Sequence, residues 1–131
     1  MEVLIYAKTI TGPLKLLQRE IEKVIPHNGI EEFNDINTLC QQLKNSTITK
    51  NNETIAILLI DNQNELLELI KMRKQLTETK IILILPDKEP ETIKLGHTLF
   101  PRYLDFVDSN FTEVGEVLKK IKQNNSMRAG Q

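Results

Sequence analysis

The sequence predicts an α/β fold: a five-stranded parallel sheet of order 2-1-3-4-5, the middle layer of a three-layer α/β/α sandwich. Three observations lead there. The runs from Ile55 to Ile60 and from Ile81 to Pro86 are apolar at every position, as central parallel strands covered by helices on both faces must be. Strand-like runs of this kind alternate with helix-spaced apolar residues five times along 131 residues. Each parallel connection needs a crossover, and crossovers are right-handed almost without exception, which leaves few topologies; 2-1-3-4-5 is the common small one.

The elements follow in order. "EVLIYA", Glu2 to Ala7, reads as strand 1, and after the loop "KTITGP" the residues Leu14, Leu17, Ile21 and Val24 recur at helical spacing. A short second strand is expected around "GIEEFN", followed by a helix in which Ile36, Leu39, Cys40 and Leu43 share one face. "NSTITKNN", from Asn45, reads as a polar loop. "ETIAILLID" and "NELLELIKMRKQL" form the third unit, and "KIILILP" and "EPETIKLGHTLF" the fourth, with Pro90 in the first helical turn where a missing N–H costs little. "RYLDFVD" is a weaker fifth strand. "FTEVGEVLKKIKQ" places Val114, Val117, Leu118 and Ile121 on one face of the last helix. Residues 1–123 are expected to form one domain and 124–131 a flexible tail.

Composition excludes several function classes. Seventeen Lys and Arg against eighteen Asp and Glu leave a net charge of -1, which gives no pull toward nucleic acid or an anionic membrane. No apolar run is long enough to span a bilayer, and without a signal peptide in view the expected location is cytoplasmic. Cys40 is the single cysteine, which excludes an internal disulfide, and its expected role is a small buried residue on a helix. His27 and His97 fall in different units and are not expected to share a metal. Asp87, Glu89 and Glu91 flank a helix start, where carboxylates serve the dipole. No nucleophile with a base is in view, so no enzyme activity, cofactor or metal is expected.

In a sheet of this order, ligands gather at the carboxyl ends of the strands, so the informative segments are Ala7 to Gly12, Asp61 to Asn64, Pro86 to Glu89 and Asp108 to Asn110. "ILLID", ending at Asp61, and "LDFVDSNF" resemble the third strand and the fifth-strand turn of bacterial response-regulator receiver domains, the CheY-like family. The resemblance covers nearly the whole chain and implies a role in two-component signalling, with Asp61 in the place of the phosphoacceptor of a phosphorelay. That family holds a divalent metal with acidic residues after strand 1, where this chain has Ala7 and Lys8. A hydroxyl after strand 4 is replaced by Leu85 and Pro86, and the lysine and proline after strand 5 by Ser109 and Asn110. The pattern is that of a degenerate, or pseudo-, receiver. Its residues favour Asp61 as a cap on the following helix, with Asn62 and Asn64 as competing caps and Lys8 within reach of pairing with it.

A flavodoxin-like alternative rests on "TITGP", Thr9 to Pro13, which faintly resembles a flavin phosphate loop. Pro13 removes one amide donor, no aromatic follows strands 3 and 4, and Thr11 serves equally as a helix cap. The other clue is the aromatics: Phe100, Tyr103, Phe106 and Phe111 crowd into twelve residues. In receivers this helix 4 to helix 5 surface serves dimerisation and partner docking. Phe100, Arg102, Tyr103 and Phe106 are therefore the candidate interface, while core packing of Phe100 and Phe106 under helix 4 is the favoured reading, and both can hold for different residues. The function expected is a stand-alone receiver-like module that acts by protein–protein contact, as a homodimer or with another protein, without its own phosphorylation. A conventional response regulator phosphorylated on Asp61 is the runner-up.

Overall fold

The computed structural model describes residues 2–49, 54–76 and 79–129. Five strands, β1 (Glu2–Ala7), β2 (Ile30–Phe33), β3 (Thr54–Leu59), β4 (Lys80–Leu85) and β5 (Tyr103–Phe106), make one sheet of order β2-β1-β3-β4-β5. Every neighbouring pair is parallel. Five α-helices connect and flank them: α1 (Gly12–Glu22), α2 (Ile36–Thr49), α3 (Gln63–Lys71), α4 (Pro90–His97) and α5 (Thr112–Ala129). This is the expected flavodoxin-like, CheY-like arrangement.

The period of two along the strands divides the core into two. Val3, Ile5, Ala7, Ile55, Ile57, Leu59, Ile82 and Ile84 point to one face, where Leu14, Leu17 and Ile21 of α1 and Val114, Leu118 and Ile121 of α5 close over them. Leu4, Tyr6, Ala56, Leu58, Ile60, Leu83 and Leu85 point to the other, under α2 and α3. Cys40 is buried in this second cluster, and burial pushes its thiol pKa up, which makes it a packing residue rather than a reactive thiol. Gly96 lets α4 lie close to β4: an added Cβ would stand 3.1 Å from Leu83 Cδ2.

Element boundaries differ from expectation in several places; α4, read through Phe100, ends at His97. Residues 45–49, read as loop, continue α2, and 50–53 lie outside the described residues. Asn, Ser and Thr are poor helix formers, but extending a formed helix is far easier than starting one. The backbone of 124–129, read as tail, likewise continues α5, while 130–131 lie outside the described residues. The third helix, by contrast, stops at Lys71, and a tighter 3-10 turn over Arg73–Leu76 swings Leu76 into the core.

Candidate functional site

Because the sheet is parallel, its carboxyl ends lie along one edge. Ala7 pairs with Leu59, Leu59 with Ile84, and Leu85 with Phe106. The loops after β1, β3, β4 and β5 therefore emerge together, as the topology requires of a ligand edge.

Asp61 stands in the loop after β3, exposed, and accepts a hydrogen bond from Thr9 Oγ1 at 3.3 Å. It is not the cap of α3. That role belongs to Asn62, whose extended backbone lets Oδ1 accept from Glu65 N at 2.9 Å. Thr11 caps α1 in the same way, with Leu14 N donating to Oγ1 at 3.3 Å, the helix-cap role weighed against a phosphate loop. At the other end of the edge, Lys88 lies 3.5 Å from Asp108 and 5.3 Å from the Phe106 ring centroid, tying the loop after β4 to that after β5. Asp87 Oδ1 accepts from Glu89 N and Glu91 sits in the first turn of α4, which is the helix-start role expected of these acids.

The residues that follow β5 have structural tasks. Ser109 Oγ donates to the buried Asp105 at 3.0 Å and accepts from Phe111 N at 2.9 Å. Asn110 Oδ1 accepts from Thr112 N at the start of α5. This wiring holds Phe111 at φ 61° with its ring wholly buried between sheet and α5. His27 and His97 are both exposed, and among the described residues no three of His, Cys, Asp and Glu gather as a metal site would require.

No family model, curated protein or solved structure matches the chain. Its site has to be read from its own geometry.

Two features stand out. The first is the segment between α4 and β5. Phe100 is 89% exposed, held at φ 51° and followed by Pro101. The left-handed region costs a non-glycine residue roughly 1–2 kcal/mol, and a following proline further restricts the residue before it. Arg102 is exposed beside it, with its backbone N–H donating to Ile81 O at 2.7 Å. Tyr103 and Phe106 are half-buried. Tyr103 packs on the α1 and α5 side and donates its hydroxyl to Glu113; burial, and then that contact, push its pKa above the usual tyrosine range. Phe106 packs on the opposite side. Of the four residues expected at an interface, the structure thus exposes Phe100 and Arg102 and gives Tyr103 and Phe106 mainly to packing. The core-packing reading of Phe100 is corrected: its ring lies outside the core.

The second feature was missed by sequence reasoning. Glu65 is only 4% exposed, and neither carboxylate oxygen accepts a well-formed hydrogen bond. Tyr6 lies near enough for each group to perturb the other. Burial raises the Glu65 pKa first and Asp61 adds to it, against smaller opposing effects of the Asp61 backbone, the Tyr6 hydroxyl and Lys8. Burial and Glu65 together push Tyr6 far above the usual tyrosine range. The signal was present in the spacing. Glu65 stands four residues before Leu69 and beside Leu66, and so on the buried face of α3. "NQNE", Asn62 to Glu65, reads instead as a capping box, which would place that carboxylate outside.

Proposed function

We propose that the chain is a receiver-like signalling module of the two-component type, working by protein–protein contact through the surface that follows α4, and not by accepting a phosphoryl group. Phe100 carries the reading: a large exposed aromatic on a strained backbone, with no burial in its own chain to offset the strain. Such residues cluster at functional sites, and aromatic and arginine side chains are the commonest interface anchors. Arg73 and Leu76 line the small cavity of about 250 Å³ that Phe100 borders, and Arg102 stands exposed beside it, so a partner offering an apolar pocket with a carboxylate at its rim would complement the patch. Phosphotransfer is disfavoured by the residues at the ligand edge. Ala7 and Lys8 supply no carboxylate beside Asp61, and a hard divalent ion needs several oxygens.

The test is intact mass after incubation with acetyl phosphate and magnesium, for the native chain and Asp61→Asn. The proposal expects no adduct in either. A phosphoryl adduct that disappears in Asp61→Asn would establish the phosphorylated regulator in its place.

A further inference from the structure

Across the sheet from Phe100, between α1 and the carboxyl ends of β1 and β2, lies a cavity of about 400 Å³ whose wall includes Ala7, Ile10, Leu14, Lys15, Glu32 and Phe33. Ile10 stands in the loop between β1 and α1, 80% exposed, and gives the rim a large aliphatic side chain that no core takes up. We infer that this cavity receives the Phe100 ring of a second copy of the chain, so that copies associate head to tail. The inference rests on the reading of Phe100 as an interface anchor and names its partner.

Phe100 and Ile10 are, among the described residues, the two large apolar side chains left almost wholly in water. One is a projecting ring and the other overhangs a cavity larger than a ring. They cannot meet within one molecule, because Phe100 precedes β5 while the cavity adjoins β2, and the sheet order β2-β1-β3-β4-β5 sets those strands four spacings apart, about 19 Å. Charge agrees with the pairing. Arg73 and Arg102 stand exposed on the Phe100 side, and among the described residues no carboxylate pairs with either. At the cavity Glu32 is exposed and accepts from the Gln18 amide, an uncharged donor, so its negative charge stays available to an incoming guanidinium; Glu31 adds a second carboxylate on the same strand. Lys15 on the α1 side of the wall repels an arginine and directs it toward β2. A symmetric contact of Phe100 with Phe100 would instead set the arginines of two copies against each other. Ring and cavity are different surfaces, so each added copy leaves one of each free, and the contact builds rings or open chains rather than a closed pair.

The experiment is sedimentation velocity of the whole chain from about 10 μM to 1 mM, where a small interface associates. The average mass of the native chain should rise with concentration and pass that of a dimer. Phe100→Ala removes the ring and Ile10→Lys spoils the cavity rim; both positions are exposed, thermal unfolding checks that both variants fold, and each should weaken association by about tenfold or more. Phe100→Ala keeps its cavity and Ile10→Lys keeps its ring, so an equimolar mixture of the two should form a heterodimer of one copy of each and stop there. A native chain that stays monomeric throughout, a folded variant of either kind that associates as tightly as the native chain, or a mixture that stays monomeric would each overturn the inference. A monomeric native chain would leave Phe100 to a different protein partner, whereas a phosphoryl adduct at Asp61 would overturn the signalling reading and leave the sedimentation result standing.

Discussion

Phe100 and Phe111 are held alike and used differently. Each is a phenylalanine with positive φ, 51° and 61°, in a loop leaving or entering a helix. Phe111 is wholly buried and its turn is fastened by Ser109, so the core offsets the strained backbone. Phe100 is 89% exposed: its backbone N–H donates to His97 O at 3.0 Å, but its ring packs into no core. The same strain is therefore explained by packing at one site and left unexplained at the other, which is what a surface kept for a partner would look like.

The contrast breaks most easily at Phe111. Phe111→Ala should destabilise the fold by about 3–5 kcal/mol, the ordinary result of emptying a packed aromatic site. A loss below about 1 kcal/mol in urea unfolding would mean that burial does not explain its backbone.

Glu65 and Asp61 repeat the contrast one helical turn apart, and Glu65 has the next largest expected effect. Glu65→Leu should stabilise the chain by about 1–3 kcal/mol, because an unsatisfied buried carboxylate is replaced by an apolar side chain of similar size. Its pH dependence follows from the raised pKa. The folded state keeps the proton to higher pH than the unfolded chain, so this stabilising contribution is full below the unfolded value of about 4.3 and is lost as pH rises through the raised folded value. Going from neutral pH toward 5, the native chain should gain stability relative to Glu65→Gln, as read from paired urea midpoints. A parallel pH profile in the two proteins would remove Glu65 as a buried acid.

Phe100→Gly should act in the opposite sense to Phe111→Ala. Relief of the left-handed backbone should raise stability by about 1 kcal/mol, since the exposed ring contributes little packing. A loss of that size would show that Phe100 is held by contacts within its own chain. The smallest effect belongs to Asp61→Asn, expected within about 0.5 kcal/mol of the native chain because the side chain is exposed and its single bond to Thr9 is long.

The architecture was legible because periodicity carries it. Runs such as Ile55–Ile60 state burial on both faces, and Leu14, Leu17 and Ile21 mark the inward face of α1 without reference to anything distant. The helix ends at Thr49 and Ala129 were not legible, because propensity there argues for stopping while an established helix continues. At the site, Asp61 and the aromatic segment were visible as residue types. Their sorting was not: burial of Phe106 and exposure of Phe100 depend on how the α4 to β5 loop turns, which composition does not encode. Glu65 was hidden for a related reason. The residues that bury it, Tyr6 among them, come from β1, 59 residues earlier in the chain, and a local capping pattern supplied a plausible outward role.

The most direct test of the claim that Phe100 is kept for a partner is photo-crosslinking in the native host. A benzoyl-phenylalanine would be placed at position 100 and, for comparison, at the exposed Leu16 on α1. A discrete covalent adduct, a second copy of the chain or one other protein, formed from position 100 and not from position 16 is the result predicted here. Uncrosslinked chain from position 100, or the same adducts from both positions, would contradict it and leave the strain at Phe100 without a function.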